Sequence, residues 1–507
     1  MKRKCNILFS CLAVLLLCAV ILCPLTKLTE RKASIEKYHD FFEQEADFDV
    51  LFMGSSHVLN AVFPMELWHD YGIISYNFGG HSSMIPTSYW TMENALEQTD
   101  PKLIVIDCYL LGSDIKSSDS SYSYVHQTFD AFPFSLTKIK TAYDLVNDEK
   151  GIQARAEYAR QNNQPEGEPA TYLGLLWDFS VYHVRWNALS QNDFAPARNR
   201  EKGAESRIAV AVPNEYPSVP ADAVMENTSV GIEYLERIIE ECRSRGIAVL
   251  LTWLPHPADE GNQMSSHRVA QIAKQYDVNY INFLETDVVN YATDCNDPHS
   301  HLNPSGARKV TDYLGQYITE HYDIEDQRGN PVYADWEEDY ESYRNLKIEN
   351  WKACESCDCY LMLAADKNCD TVVEINNPKI CSNLQFSQLL GNIGIDAEGG
   401  CRSDIIAVQR GGKAVSYMES QSNDPSADTV LGTVSTVYAD NDGITFRSFC
   451  LDGRELYRAP ASDFEQSDIH ITILDSDTGE VMDSAGFLLN FDENNAKCTI
   501  ATAEVKR

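Results

Sequence analysis

Two short stretches of the sequence carry residue types suited to nucleophilic chemistry. The first is Gly54-Ser55-Ser56-His57, which follows an apolar run, and the second is Asp297-Pro298-His299-Ser300-His301. A serine hydroxyl is a weak nucleophile unless a base lies within hydrogen-bond reach, and an imidazole oriented by a carboxylate is the usual base. Ser56, His301 and Asp297 are therefore candidates for the attacking hydroxyl, the general base and the orienting carboxylate.

Strands that could position these residues are predicted throughout residues 49–322. Short apolar runs alternate there with amphipathic stretches, a pattern typical of parallel strands joined by helical crossovers. Ligands bind outside the carboxyl ends of such strands, so the turn after the first strand and the loop after the last are expected to converge. The predicted strands are Val50–Met53, Ser75–Phe78, Leu103–Cys108, Ile247–Trp253 and Asn279–Ile281.

Two helices are predicted clearly. Residues 231–245 carry apolar side chains at i, i+3, i+4 and i+7, and a glycine at position 246 suits the helix end. The second helix covers Pro304–His321, with Asn303 as its N-cap and Pro304 at the first helical position. His301 is therefore expected just before a helix, on the loop that follows the last strand.

Residues from about 112 to 229 interrupt this alternation with Ser, Asn, Pro and Glu clusters. We interpret them as a long insertion that forms a lid or a substrate wall. Arg185 in this insertion is a candidate substrate contact, and packing in a peripheral helix is the alternative. His256, in the Pro-His-Pro triplet after the fourth predicted strand, is a second candidate, with a rigid turn as its alternative.

The two chemical stretches together resemble the SGNH/GDSL hydrolase superfamily over about residues 48–325. The Gly-Ser-Ser-His turn is similar to the family's Gly-Asp-Ser-x block, with Ser replacing Asp as in its polysaccharide-modifying branches. The resemblance implies a three-layer α/β/α sandwich with a five-stranded parallel sheet, in the flavodoxin-like arrangement. It also implies that Ser56 is the nucleophile, His301 the base and Asp297 its carboxylate partner.

The resemblance further implies donors for the oxyanion of a tetrahedral intermediate. These are the backbone N–H of Ser56 and that of Gly79 or Gly80. The family's third block, Gly-x-Asn-Asp, is missing, because Asp107-Cys108-Tyr109-Leu110 follows the third predicted strand. One lost donor costs about 10²–10³ in rate. His57 is the candidate replacement for this donor and a further candidate substrate contact.

The spacing between the acid and the base also departs from the family. Three residues separate Asp297 from His301, where the family usually has two. Asp294 is therefore an alternative carboxylate, and His299 is an alternative base. Leu302 and Asn303, which follow His301 in the family manner, favour His301 as the base.

The N-terminus carries a predicted membrane segment. Met1-Lys2-Arg3-Lys4 precedes an apolar run from Cys5 to Leu25, which is long enough to cross a bilayer as a helix. The basic cluster predicts a cytoplasmic N-terminus. A cleaved signal peptide is the alternative, although no small-x-small cleavage pattern follows the run. We expect a single-pass plasma-membrane anchor within residues 1–32 and extracytoplasmic folded domains.

Length, charge and cysteine content limit the remaining possibilities. The 507 residues favour two domains, and a net charge of −35 argues against nucleic acid as a partner. Fifteen cysteines, eight of them after residue 350, are compatible with extracellular disulfides or with free buried thiols. A zinc site at Cys354, Cys357 and Cys359 lacks a clear fourth ligand, so we predict no metal and no cofactor.

The chain after residue 325 is predicted to form a linker and a second domain. Residues 326–350 are acidic and tyrosine-rich, and residues 351–507 are β-rich with frequent turn signals. Within the latter, Tyr360–Ile375, Leu389–Gly394 and Ile469–Ser484 are similar to the interleukin-like EMT inducer (PANDER-like) β-sandwich, in permuted order. The resemblance implies a sandwich that binds partners or sugars, here a glycan- or wall-binding module.

These observations predict an anchored serine esterase or O-acyltransferase in residues 33–325. The expected substrates are acyl esters, above all acetyl esters, of cell-envelope or extracellular polysaccharide, or small esters. Transfer would require a multi-pass membrane-bound O-acyltransferase partner, because one helix cannot carry an acyl group across the bilayer. The alternative is a catalytically inactive SGNH-like adhesion or assembly protein, which the missing third block and the irregular Asp–His spacing favour.

Overall fold

The computed structural model describes residues 2–30, 36–44, 47–118, 123–164, 170–194, 199–397, 405–410, 413–419, 426–429, 432–465, 467–490 and 501–506. The chain divides into two compact units. The first comprises residues 1–205, 216–286 and 311–336, and the second comprises residues 206–215, 287–310 and 337–507. The predicted domain bounds differ from these units, because residues 206–215 and 287–310 group with the C-terminal part of the chain.

A five-stranded parallel sheet lies at the centre of the first unit, as predicted. Its order is β2-β1-β3-β4-β5, and all adjacent strands are parallel. The strand order reverses at β1, so the carboxyl ends of β1 and β3 border the switch point at which open α/β sheets bind ligands. The strands are β1 (Val50–Met53), β2 (Ser75–Asn77), β3 (Leu103–Asp107), β4 (Ala248–Trp253) and β5 (Asn279–Asn282).

Helices fill the connections between these strands. Helix α12 (Val230–Arg245) is capped at its N-terminus by Ser229, whose side chain accepts a hydrogen bond from the backbone N–H of Ile232, and at its C-terminus by Gly246, which has a left-handed φ of 74°. The helices of this unit are α1 (Lys2–Thr29), α2 (Glu36–Glu43), α3 (Ser56–Ala61), α4 (Pro64–Tyr71), α5 (Ile85–Ala95), α6 (Ser123–Phe129), α7 (Leu136–Val146), α8 (Glu149–Gln161), α9 (Tyr172–Leu176), α10 (Phe179–Tyr182), α11 (Gln191–Phe194), α12 (Val230–Arg245) and α13 (Glu260–Tyr276).

Helix α1 covers most of the predicted anchor. Among the described residues, no helix combines the length and the apolarity of a membrane-crossing span. The single-pass anchor stays a prediction. The predicted insertion carries α6 to α11, and its described residues other than 206–215 group with the first unit.

The second unit is β-rich, as predicted, and its strands pair antiparallel. A six-stranded sheet has the order β15-β14-β13-β6-β7-β8, and a four-stranded sheet has the order β12-β11-β10-β9. Its strands are β6 (Cys369–Ile375), β7 (Ile405–Arg410), β8 (Lys413–Glu419), β9 (Ser426–Thr429), β10 (Gly432–Asn441), β11 (Ile444–Leu451), β12 (Arg454–Pro460), β13 (Ile469–Asp475), β14 (Val481–Asn490) and β15 (Ala501–Lys506).

The C-terminal half contains helices where the sequence predicted a linker and a β-sandwich. The predicted linker is largely one helix, α16 (Ala334–Ala353), and Tyr360 and Leu389 lie on helices rather than on strands. Both residues belong to a buried core shared with β6 and β13. The prediction of strands here is wrong because a short apolar run is compatible with a strand or with a helix. The helices are α14 (Tyr291–Asp294), α15 (Pro304–His321), α16, α17 (Cys357–Ala364), α18 (Leu384–Asn392) and α19 (Ala461–Glu465).

Candidate functional site

Ser56 is the first residue of α3, three residues beyond the end of β1. Gly54 precedes it with a φ of 155°, and a Cβ there would lie 2.6 Å from Cγ2 of Val58 and 3.1 Å from Cβ of Asp107. Ser55 is the N-cap, because its Oγ accepts the His57 backbone N–H at 3.2 Å. Ser55 caps the helix, and the adjacent Ser56 has a half-buried side chain.

Tyr109 occupies the matching position in the turn after the neighbouring strand β3. The last residue of β1 pairs with the fourth residue of β3, so Ser56 and Tyr109 both lie three residues beyond a paired position. The Tyr109 ring stacks on the His57 ring, with centroids 3.7 Å apart and an interplanar angle of 24°. The imidazole of His256, which follows β4, lies 4.7 Å from that of His57 and 5.0 Å from the Tyr109 ring.

These rings form a continuous aromatic wall at the carboxyl ends of β1, β3 and β4, which we define as His57, Tyr109, Trp253 and His256. The indole of Trp253 completes it, with a centroid 6.2 Å from those of Tyr109 and His256. Tyr109 is half-buried, whereas the other three side chains are buried. The predicted substrate contacts His57 and His256 are therefore brought together, with Tyr109 as the most accessible ring of the wall.

Asp107 ends β3 beside this wall. Its Oδ1 accepts the backbone N–H of Leu254 at 3.0 Å, and its Oδ2 has no hydrogen-bond partner among the residues that the structure describes. Burial raises the pKa of this carboxyl to about 7, although hydrogen bonds from backbone N–H groups oppose the rise. Asp107 therefore changes its charge near neutral pH, directly behind the turn that carries Ser56.

The two glycine amides predicted to bind the oxyanion already donate hydrogen bonds. The Gly79 N–H donates to Oδ1 of Asn77 at 2.8 Å, and the Gly80 N–H donates to the carbonyl oxygen of Gly54 at 3.2 Å. Either amide would have to exchange its present acceptor for the substrate before it could stabilise an oxyanion. Their oxyanion role stays a prediction, as does that of the Ser56 amide.

In the second unit, Asp297 accepts a hydrogen bond from the His301 ring. The Nδ1–Oδ2 distance is 2.5 Å, and the backbone N–H groups of His299 and Ser300 each donate to Oδ1 at 2.8 Å. Burial works against ionisation, but these hydrogen bonds outweigh it and hold the pKa of Asp297 well below its usual range. The carboxylate holds the proton of His301 on Nδ1, so Nε2 is the nitrogen that could accept a proton in the predicted role as base.

The alternative acid and base are engaged elsewhere in the second unit. The buried carboxylate of Asp294 accepts hydrogen bonds from Nζ of Lys309 at 2.7 Å and from Oγ of Ser305 at 3.0 Å. His299 is exposed, and its Nδ1 lies 2.8 Å from Nδ2 of Asn214. Asp297, rather than Asp294, is thus the carboxylate that contacts His301.

Each unit supplies one part of the predicted catalytic group. Ser56 lies in the first unit, and the pair formed by Asp297 and His301 lies in the second. The structure brings Asp297 to His301 within one unit and groups Ser56 with the aromatic wall within the other. The approach of His301 to Ser56 stays a prediction.

Arg185 is held within the insertion by contacts of its own. It lies in a short 3-10 helix, and its guanidinium donates to the Thr29 carbonyl oxygen at 2.7 Å, to the Glu30 carbonyl oxygen and to Oδ1 of Asp193 at 2.9 Å. These contacts match the peripheral packing alternative. A role for Arg185 in substrate binding stays a prediction that none of these contacts supports.

Sequence reasoning missed two residues around this site, Lys37 and Tyr109. Lys37 is buried on α2, one turn before the buried Phe41. A lysine on the apolar face of a predicted helix could have identified it as a residue with a specific role. Tyr109 follows a buried strand in place of the expected amide side chain, and an aromatic residue at that point was its signal. Both residues are bonded or stacked to the segments that surround Ser56.

The described cysteines and acidic residues give no metal centre. No group of three or more His, Cys, Asp or Glu side chains in the described ranges has a metal-binding arrangement. Cys381 is disulfide-bonded, whereas Cys354, Cys357 and Cys359 are thiols outside any disulfide. Cys401 and Cys498 lie outside the described residues.

Comparison with protein-family models and curated proteins assigns this chain to no family. No protein-family model matches the chain, and no curated protein matches it. Function must therefore be inferred from the residues and contacts described above.

Proposed function

We propose that this protein is an SGNH-type serine hydrolase or O-acyltransferase, with Ser56 as nucleophile, His301 as general base and Asp297 as the orienting carboxylate. The observation that carries the proposal is the position of Ser56 at the β1/β3 switch point, after a glycine turn and beside a serine that caps the helix in its place. We further propose the three-layer, flavodoxin-like sandwich for the first unit, since the strand order agrees with it.

The reaction proposed is acyl transfer through a covalent intermediate. Oγ of Ser56 attacks the carbonyl carbon of an ester while Nε2 of His301 takes the hydroxyl proton. The tetrahedral intermediate collapses, the C–O bond to the alcohol breaks, and His301 returns the proton to the departing oxygen. Water then attacks the acyl-enzyme in an esterase, and a sugar hydroxyl attacks it in a transferase.

The aromatic wall supports a carbohydrate ester as the substrate. Tyr109 presents a partly exposed aromatic ring next to the Ser56 turn, and His57, stacked on it at 3.7 Å, restricts its motion. Ligand sites combine such apolar surface with a few polar groups that fix orientation. We propose acyl esters, chiefly acetyl esters, of cell-envelope or extracellular polysaccharide as the substrate class.

The proposed location is outside the plasma membrane. The basic N-terminal cluster and the apolar run after it support a single-pass anchor with a cytoplasmic N-terminus. The disulfide at Cys381 supports an oxidising compartment. We propose the PANDER-like assignment and glycan binding for the second unit on its sequence stretches, and a multi-pass O-acyltransferase as partner if the acyl group is transferred.

Labelling with a fluorophosphonate probe tests the nucleophile. We expect the full-length protein and its Ser55→Ala variant to be labelled at position 56, and the Ser56→Ala variant to remain unlabelled. Ser55→Ala is the matched control, because it removes the neighbouring hydroxyl and a helix cap worth about 1 kcal/mol. Labelling of Ser56→Ala at the wild-type rate would refute the assignment. Hydrolysis of p-nitrophenyl acetate and release of acetate from acetylated polysaccharide would then define the substrate.

A binding protein without catalysis is the second candidate. It is favoured by Tyr109 in the place of the amide donor and by the hydrogen bonds that already occupy the Gly79 and Gly80 amides. A folded wild-type protein that the probe leaves unlabelled, and that still binds polysaccharide, would support this candidate over the enzyme.

A further inference from the structure

Lys37 is a buried lysine that donates hydrogen bonds only to backbone carbonyl oxygens in its described contacts. Its Nζ lies 3.3 Å from the oxygen of Asn77 and 3.1 Å from the oxygen of Gly203, and it also bonds the oxygen of Gly79. It therefore joins α2, the loop after β2 and residue 203 of the insertion. The family motifs assign no role to this residue.

The number of acceptors defines the charge that this arrangement requires. An ammonium group has three N–H donors and no acceptor, whereas a neutral amine has two donors and a lone pair. Three carbonyl oxygens around Nζ are satisfied only by the ammonium form of Lys37. A neutral Lys37 would lose one hydrogen bond and would direct its lone pair at a carbonyl oxygen.

One peptide group links Lys37 to the nucleophile turn. The carbonyl oxygen of Gly79 and the N–H of Gly80 belong to the same planar peptide, so the bond from Lys37 sets the direction of that N–H. The Gly80 N–H donates to the carbonyl oxygen of Gly54 at 3.2 Å. The Gly54 carbonyl in turn belongs to the peptide that leads into Ser55, the cap of the helix that Ser56 begins.

We infer that Lys37 is a positioning residue for Ser56, because its ammonium group fixes the Gly79–Gly80 peptide, which fixes the Gly54 carbonyl and the turn. The inference rests on the proposed role of Ser56 as nucleophile. Lys37 itself acts through two peptide groups. Its expected effect is on the reactivity of the hydroxyl, with little change in substrate affinity.

The charge of Lys37, and with it the hydrogen bonds that position the Ser56 turn, should depend on pH. Burial lowers the pKa of Lys37 to about 7, and the charge of Glu205, which pairs with His81 at 3.3 Å, opposes the shift. The Tyr38 ring lies 5.1 Å from Nζ, and the Tyr76 hydroxyl donates to the Lys37 carbonyl and to Asp40 at 3.2 Å. The reactivity of Ser56 should therefore fall as pH rises through about 7.

The test measures the rate of fluorophosphonate labelling at Ser56 across this pH range in the full-length protein. Lys37→Met removes the charge and keeps the bulk, and we expect its labelling to be slower by about 10²-fold at low pH, the cost of a small misplacement. Lys138→Met is the matched control, because Lys138 is also buried and donates to two carbonyl oxygens, of Asp130 at 3.2 Å and Phe132 at 2.8 Å. Its labelling should stay close to the wild-type rate.

The pH profile separates positioning from a general loss of stability. The decline of the wild-type rate near pH 7 should vanish in Lys37→Met and persist in Asp107→Asn, which removes a group that titrates in the same range beside the Ser56 turn. An unchanged rate and profile in Lys37→Met, or equal losses in Lys37→Met and Lys138→Met with equal falls in melting temperature, would overturn the inference. If Ser56→Ala is labelled like the wild type, the proposed function fails and this inference fails with it.

Discussion

Nδ1 of His301 lies 2.5 Å from Oδ2 of Asp297, and two backbone N–H groups donate to the other oxygen of the same carboxylate. These bonds fix both the ionisation of the acid and the orientation of the ring. We predict that Asp297→Asn lowers kcat for p-nitrophenyl acetate by between about 10² and 10⁴-fold, because the amide supports the wrong imidazole tautomer. The melting temperature should also fall, because the depressed pKa of Asp297 means that its ionised form stabilises the folded state.

His299 provides the control for this prediction. It is exposed, lies two residues from His301, and has its own contact with Asn214. His301→Ala should abolish activity, whereas His299→Ala should retain most of it. The opposite pattern would make His299 the base and would remove the reason to assign Asp297 its role.

The Gly54 turn predicts a second result. Gly54→Ala should lower the free energy of unfolding by about 1–3 kcal/mol and should also lower activity. The new Cβ would be 2.6 Å from Cγ2 of Val58, and the φ of 155° disfavours a side chain. Gly246→Ala is the matched control, since Gly246 also has a positive φ, 74°, but a Cβ added there would meet no neighbouring side chain within 4 Å. Enzyme assays and urea denaturation should show a stability loss in both variants and an activity loss beyond it only in Gly54→Ala.

The sequence predicts the parallel sheet well, because each strand is a short buried apolar run with a clear end. β1 matches its predicted bounds, and β2 to β5 differ from theirs by one residue at one end. The Asp297–His301 contact also follows from local sequence, since only three residues of one loop separate Asp297 from His301. Such features depend on periodicity and short spacing, which a sequence displays directly.

The remainder of the site depends on contacts between distant segments. Lys37 meets Gly203 across 166 positions, and nothing near either residue indicates the other. The hydrogen bond from Gly80 to Gly54 is likewise a product of the strand order. The helices that carry Tyr360 and Leu389 show a different limit, because segments of eight and nine residues are too short for periodicity to separate helix from strand.

Asp107 predicts a pH dependence of stability. Its folded pKa of about 7 lies above the ordinary value of 3.8, so the folded state keeps a proton that the unfolded state releases between these values. The stabilisation is complete below pH 3.8 and is lost as pH rises to about 7, to a total of at most about 4 kcal/mol. Asp107→Asn removes this loss.

Melting temperatures of the wild type and of Asp107→Asn, measured below and above pH 7, test this prediction. The variant should gain stability relative to the wild type as pH rises, because an amide cannot ionise while its oxygen still accepts the Leu254 N–H. A difference between the two proteins that stays constant with pH would show that Asp107 has the same charge in the folded and unfolded states.

A buried ion pair between the two sheets of the second unit gives the last prediction. Arg447 of β11 donates from Nη2 to Oε1 of Glu374 on β6 at 2.5 Å and from Nη1 to Oε2 at 3.3 Å. The nearby His470 is neutral, because burial and the Arg447 charge lower its pKa to about 3. Removal of one partner leaves the other charge buried, so Glu374→Gln should cost about 3–5 kcal/mol.

The double variant Glu374→Leu/Arg447→Met should recover most of that loss, because no charge then stays buried without its partner. Arg344→Met is the comparison at a less deeply buried pair, since Arg344 contacts Asp475 at 2.8 Å with 21% of its side chain exposed. It should cost less than Glu374→Gln, because Asp475 also accepts the backbone N–H groups of Asp477 and Thr478. Urea unfolding of the four proteins measures each change. A double variant as unstable as Glu374→Gln would show that the lost packing between the sheets, rather than the unpaired Arg447 charge, causes the destabilisation.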